Sequence, residues 1–240
     1  TFAGNVHMLI VRFASSFAKW RREVMADAAT RGGSKVGFGA WQPVFAVFVF
    51  TLLSGAAHAL SPLTGVTRIA IGSAHSCATM NDQTVQCWGS NDSGFLGNGT
   101  AIDNGFPAPV SGIGSALSVA AGALHTCAVL TDGSVKCWGY GYQGQMGNPA
   151  YTGPTRSPVP VIGLGRAVSI SAGQTQSCAL LADGGVSCWG NPYGGTPRPI
   201  AGIAGATAVA AGGGHSCALM TNGTVLCWGT NTNGQLGNGS

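Results

Sequence analysis

Apolar residues in this chain fall into runs of two kinds. One is a single ten-residue stretch, Val44-Phe-Ala-Val-Phe-Val-Phe-Thr-Leu-Leu53. The others, all beyond residue 60, are short runs such as Val159-Pro-Val-Ile162, Ala167-Val-Ser-Ile170 and Ala208-Val-Ala-Ala211, cut by Gly, Asn, Asp and Ser. Short runs bounded by turn-formers predict short strands. The clearest case is Ala120-Ala-Gly-Ala-Leu-His-Thr-Cys-Ala-Val-Leu-Thr-Asp-Gly-Ser-Val-Lys-Cys-Trp-Gly139. Two β-branched runs flank Thr131-Asp132-Gly133, which reads as a three-residue hairpin loop with Gly in the left-handed position. That loop sets Leu130 opposite Ser134, and the alternation then sets Cys127 opposite Cys137.

The hairpin recurs. All eight cysteines form four pairs spaced by ten positions (Cys77/Cys87, Cys127/Cys137, Cys178/Cys188 and Cys217/Cys227), and each second cysteine opens Cys-Trp-Gly. The first cysteines lie 50, 51 and 39 residues apart. A fixed period of that size marks a repeat architecture. The third and fourth copies carry Ala182-Asp-Gly184 and Thr221-Asn-Gly223 at the hairpin loop, whereas the first carries Asn81-Asp-Gln83. Gln83 at a left-handed site is expected to cost stability. After the hairpins come turn-rich stretches: Ser93–Thr100, Gln143–Asn148 and Asn233–Ser240. Leu96, Met146 and Leu236 each follow their Trp by eight positions. The third copy lacks this stretch and has Asn191-Pro-Tyr-Gly-Gly-Thr-Pro197 in its place. Four short strands in about 50 residues make one propeller blade.

Composition agrees with strands and turns. Of 240 residues, 40 are Gly and 11 Pro, and only 8% are charged against 45% hydrophobic. That mixture excludes a charge-rich disordered chain, a coiled coil and a long helical bundle. The net charge of +4 sits entirely in residues 1–59, where six Lys/Arg stand against two acids. Residues 60–240 balance five cations (Arg68, Lys136, Arg156, Arg166, Arg198) with five aspartates. A nucleic-acid binder needs a basic patch to neutralise phosphates. Five scattered and matched cations do not supply one, so no nucleic acid is expected as a partner.

The first 59 residues read as a leader. Arg31 and Lys35 precede the apolar run, and Ala57-His58-Ala59 follows it, giving the charged region, apolar core and small-residue cleavage site of a secretory signal. Because the chain opens on Thr1, translation from Met25 is the expected start. The alternative is an uncleaved membrane anchor over residues 41–60, for which the apolar run itself is short. Either reading places the repeats outside the cytoplasm, secreted or at the cell surface or periplasm.

The sequence Gly-x-x-His-[Ser/Thr]-Cys-Ala, then Cys-Trp-Gly, then Gly-Gln-Leu-Gly-Asn-Gly, resembles the regulator of chromosome condensation repeat family in its bacterial, cysteine-containing form. The likeness covers residues 67–240, with units at about 67–115, 116–165, 166–203 and 204–240. It implies an all-β fold, a β-propeller usually of seven blades, of which about four are present. At about 50 residues per blade a full ring needs roughly 350. The expectation is therefore an incomplete ring, a fragment or one part completed by missing blades or a second chain. The family includes a nuclear exchange factor for a small GTPase that docks on chromatin, and secreted bacterial propellers, among them an inhibitor of β-lactamase. The leader and the neutral repeats separate this chain from the nuclear member, and fold alone does not carry function.

Candidate chemistry is sparse. An oxidising compartment and opposed positions argue for four disulfides. Zinc is the sharper alternative, since His75, His125 and His215 each stand two residues before a cysteine, and buried free thiols are a third reading. Gln176 replaces the histidine in the third copy while Cys178 and Cys188 persist, which favours a disulfide beside a structural hydrogen bond over a metal set. Three repeated histidines with no carboxylate at a fixed offset do not make a catalytic base. Asp132 and Asp183 are turn residues. No cofactor or metal is expected, and no enzymatic activity. The four tyrosines, Tyr140, Tyr142, Tyr151 and Tyr193, all lie after Cys-Trp-Gly in copies two and three, where the copies diverge most. Tyr on a variable loop suits a partner contact, and packing between blades is the competing role. The expected function is an exported, non-enzymatic scaffold that binds a protein or surface ligand through loops on one face. The alternatives are an exchange-factor-like regulator of a small GTPase, or a secreted propeller enzyme whose site lies in further blades.

Overall fold

The computed structural model describes residues 62–239. The leader, with its apolar run, its cleavage signal, Met25 and the alternative anchor at 41–60, lies outside the described residues. Among the described residues there are fifteen strands and no helix. The first sheet runs β1 (Val66–Ile71), β2 (His75–Met80), β3 (Val85–Gly89) and β4 (Asn104–Pro109). The second is β5 (Ala116–Ala121), β6 (His125–Leu130), β7 (Val135–Gly139) and β8 (Thr155–Pro160). The third is β9 (Ala167–Ala172), β10 (Gln176–Leu181), β11 (Val186–Gly190) and β12 (Gly194–Pro199), and the fourth is β13 (Ala206–Ala211), β14 (His215–Met220) and β15 (Val225–Gly229). Every sheet is an antiparallel meander in chain order.

Strand order sets inside and outside. β1, β5, β9 and β13 contact one another in succession and form the inner row. β4, β8 and β12 are the outer edges, and each carries two prolines: Pro107 and Pro109, Pro158 and Pro160, Pro197 and Pro199. Proline cannot donate to a further ladder, so it is tolerated there and blunts the edge against aggregation. The sheets pack first on second, second on third and third on fourth without closing a ring. This is the all-β blade architecture that the repeat period predicts.

The hairpins obey the expected register. Gly133 N–H bonds Leu130 C=O at 2.9 Å and Leu130 N–H bonds Ser134 C=O at 2.9 Å. Gly133, Gly184 and Gly223 have φ of +84°, +80° and +81°, and Gln83 is held at +66°, the sole non-glycine at positive φ among the described residues. The register places Cys77↔Cys87, Cys127↔Cys137, Cys178↔Cys188 and Cys217↔Cys227 directly opposite. All four pairs are disulfides with Cα–Cα 4.1 Å. Each closes a short loop in the unfolded chain and contributes about 2–3 kcal/mol in the loop-entropy account.

The core lies between neighbouring sheets. Val85 and Leu96 meet Val119, Ala128 and Trp138 at the first seam. Val129, Val135 and Met146 meet Ile170, Ala179 and Trp189 at the second. Leu180 and Val186 meet Ala206 and Ala218 at the third, with Trp228 half-buried against them. Small residues at the inner row let the sheets approach. A Cβ on Gly72 would collide with Gly122 O, one on Gly122 with Gly173 O, and one on Gly173 with Gly212 O.

Candidate partner-binding face

Polar bonds across the seams repeat as regularly as the apolar contacts. His75 Nε2 lies 2.8 Å from Thr126 Oγ1, and His125 Nε2 lies 2.7 Å from Ser177 Oγ, so each histidine meets the Ser or Thr that follows the equivalent position in the next sheet. Gln176 replaces histidine at the third seam and donates Nε2–H to Gly212 O at 3.0 Å and His215 O at 3.2 Å. Burial lowers the His75 pKa to about 4, and the ring stacks on Phe95 at 5.5 Å between centroids. Burial, with the nearby His75 charge, lowers His125 to about 3. Both rings are neutral at physiological pH and belong to the packing. In the opposite direction, Trp138 Nε1–H donates to Phe95 O at 2.8 Å and Trp189 Nε1–H to Gln145 O at 2.9 Å.

Meander topology sorts the loops by end. His75 pairs with Gly89 and His125 with Gly139. The turn after each inner strand and the loop before each outer strand therefore share one end of the sheets. The hairpin loops and the links between sheets share the other. At the hairpin end, Asp82 Oδ1 accepts from Thr84 N–H and O–H, and Asp132 Oδ1 from Ser134 N–H and O–H. These hydrogen bonds lower both aspartate pKa values and mark turn residues.

The loop end differs from copy to copy. In the first copy the buried Asn91 carboxamide organises the loop: Oδ1 accepts Leu96 N–H at 2.9 Å, and Nδ2–H donates to Thr100 O at 3.1 Å and Ile102 O at 3.2 Å. The second copy has Gly141 there, pressed against Gly153 O where a Cβ would collide, so bare backbone contact takes over from the amide. In the third copy β12 begins at Gly194, close behind β11, which ends at Gly190. The shortened loop leaves no carbonyl on Trp228, whose buried Nε1–H has no acceptor.

Two concavities open at this end. One, about 450 Å³, lies at the ends of the inner strands and is lined by backbone and small side chains around Gly72, Gly122, Gly173 and Gly212. The other, about 370 Å³, lies between the second copy's loop and the start of β12. Tyr142, Tyr151, Gln143 and Pro149 wall it, and Gly194 and Gly195 lie at its third-sheet side. Tyr142 is 63% exposed and Tyr151 38%. Tyr140 meets Tyr142 edge-on with centroids 5.1 Å apart. Tyr193 is placed elsewhere, half-buried against the third core beside Ile200 and Ile203. Of the four tyrosines singled out by sequence, Tyr142 and Tyr151 line one groove, Tyr140 stands against Tyr142, and Tyr193 packs into the third core. Asn91 and the Gly194-Gly195 pair escaped the sequence reading, although Asn91 recurs as Asn231 and gives way to Gly141 in the second copy, and the glycine pair replaces Thr155-Arg156 of the preceding copy. Among the described residues no group of three or more His, Cys, Asp or Glu could hold a metal ion. No helix among them is long and apolar enough to cross a membrane.

Comparison with known proteins agrees with this architecture. Two models described as "Regulator of chromosome condensation (RCC1) repeat" match, one over residues 66–94, 117–145 and 206–235 and the other over 83–129 and 132–180, together more than half of the chain. No curated protein sequence matches. The crystal structure of human WBSCR16 superposes with a TM-score of 0.69 at 23% identity, over 76% of this chain and 52% of that one. Prp20p from Saccharomyces cerevisiae, described with its binding properties to Gsp1p and histones, gives 0.62 at 25% identity over 72% and 46%. Yeast RCC1 (Prp20) bound to Kap60 gives 0.62 at 22% over 69% and 44%. The chain spans about half the length of these solved structures. With four concordant copies of the hairpin, the seam bonds and these matches, the chain belongs to the regulator of chromosome condensation (RCC1) repeat family.

Proposed function

We propose that the protein is an exported, non-enzymatic scaffold that binds a protein partner through the loop end of its sheets. The β-propeller fold supports a protein-interaction scaffold in general. The observation that carries the finer reading is the pair Tyr142 and Tyr151, large aromatic side chains left exposed on a groove in the second copy's loop. Exposed aromatic residues on a rigid frame are the usual anchors of a protein interface. Four disulfides support an oxidising compartment, and with it export. The yeast relative's binding of Gsp1p and histones supports a protein as the partner class, without carrying over either one.

The export part is tested by intact mass of the protein recovered outside the cytoplasm, with and without alkylation in the absence of reductant. The expected product starts near Leu60, lies about 8 Da below its all-thiol mass and gains nothing on alkylation. Free thiols on a cytoplasmic product overturn it. For the binding face, a photo-crosslinker at position 142 is compared with one at Asp132, at the hairpin end. A partner trapped only from position 142 is the expected result. Equal trapping from both ends, or none from 142, overturns the assignment of the face.

A further inference from the structure

The groove between the second and third sheets is built by two matched departures from the repeat. The second copy brings Tyr142 and Tyr151 where the first has Asp92 and Ala101. The third copy brings Gly194-Gly195 where the second has Thr155-Arg156 at the start of the outer strand. At the first seam Gly94 packs against the backbone of Thr155 and Arg156, residues that carry side chains there. At the second seam the equivalent Gly144 meets only glycine backbone, and a Cβ on Gly195 would find nothing nearer than 3.9 Å. Side chains have thus been removed from one side of the groove and aromatic rings added to the other.

The polar groups of this groove are unequal in kind. No carboxylate lines it. Tyr142 and Tyr151 offer phenol donors and Gln143 an amide. Arg198 stands beside the groove, with its guanidinium 3.9 Å from where a Cβ on Gly194 would lie. Asn148 is already committed, donating to Pro160 O and accepting from Ala150 N–H. A ligand matched to this lining presents apolar surface and hydrogen-bond acceptors, with few donors of its own. A polyproline II segment does so, because its carbonyls are unpaired, its proline residues carry no N–H, and its rings stack on aromatic walls. Strand addition is disfavoured at the same place, since β12 carries Pro197 and Pro199.

We infer that the Tyr142–Tyr151–Gly195 groove binds an extended, uncharged, proline-rich segment of a partner protein. This rests on the scaffold reading above and names the partner's recognised element. The probe is a blocked, uncharged peptide of the sequence Pro-Pro-Leu-Pro-Pro-Leu-Pro, titrated into the full chain and followed by amide NMR shifts. Binding is expected to be saturable, with shifts confined to residues around 141–152 and 194–195. Two variants lose at least about tenfold in affinity: Tyr142→Ala removes the aromatic wall, and Gly195→Arg places a long side chain on the third-sheet side of the groove. Gly195 is not at positive φ and has room for a Cβ, so this variant folds. Asp132→Asn, at the other end, binds as the parent does. Unchanged binding in Gly195→Arg, or chitin oligosaccharide binding in place of the peptide, overturns the inference. A partner crosslinked at position 142 that excess peptide fails to displace overturns it too, while leaving the scaffold reading intact. Peptide binding with no partner at position 142 does the reverse.

Discussion

Acid is expected to weaken this protein at its seams, and the third copy supplies the control. His75 and His125 bridge consecutive sheets as neutral, buried rings, with pKa values lowered to about 4 and about 3 from an ordinary 6.5. A histidine whose folded pKa is depressed contributes stability that is present in full above the unfolded pKa and is lost as pH falls from 6.5 toward the folded value. By linkage, the two together cost roughly 5 kcal/mol between neutral pH and pH 4.5. That is a large share of the ~5–15 kcal/mol that holds a domain folded. The lowered Asp82 and Asp132 lose their contribution only below the ordinary carboxylate range, so the window from pH 6.5 to 4.5 belongs to the histidines. Gln176 occupies the same site in the third sheet, bonds across its seam and does not titrate. The double variant His75→Gln/His125→Gln should therefore keep the seams bonded and abolish most of the pH dependence. Urea denaturation at pH 7.5, 6.5, 5.5 and 4.5 measures it. The parent's midpoint should fall by about 2 M over this range and the variant's by less than about 0.5 M. Equal slopes in the two proteins would falsify the assignment of acid sensitivity to these rings.

Three further outcomes follow from the same geometry. Gln83→Gly relieves the strained hairpin of the first sheet, where φ is +66°, and should raise stability by about 1 kcal/mol in thermal melts; no gain refutes strain at that loop. Gly122→Ala drives a methyl group into Gly173 O at the inner row and should cost about 3 kcal/mol, lowering Tm by roughly 6–12 °C, whereas the same change at Gly112, with open space around it in spite of its positive φ, should cost less. Trp→Phe should separate the copies: at Trp189 it strands the buried Gln145 carbonyl and costs an additional ~1–2 kcal/mol relative to Trp228, whose Nε1–H has no acceptor to lose, while at Trp138 the Phe95 carbonyl keeps the Thr126 hydroxyl and the added cost is smaller. Equal costs at all three would show that packing alone sets the tryptophan energetics.

Sequence by itself determined what is local and periodic. A hairpin fixes its register within about a dozen residues through one left-handed glycine and a period of two. Cys127 opposite Cys137, Gly133 at +84° and the strain at Gln83 were therefore all legible before any contact across sheets was known. The count of sheets followed from the spacing of the cysteines, and the family from the motifs around them. Partnerships across seams were not legible in this way. His125 meets Ser177 52 residues away, and Trp189 meets Gln145 44 residues away, so their bonds depend on how one sheet stacks on the next. The same distance hid the groove. Tyr142 and Gly195 each read as a local departure in its own copy, one gaining a ring and the other losing a side chain. Only the packing of the second sheet on the third brings these departures to the two sides of one cavity, because the close approach of neighbouring sheets sets Gly144 against Gly195.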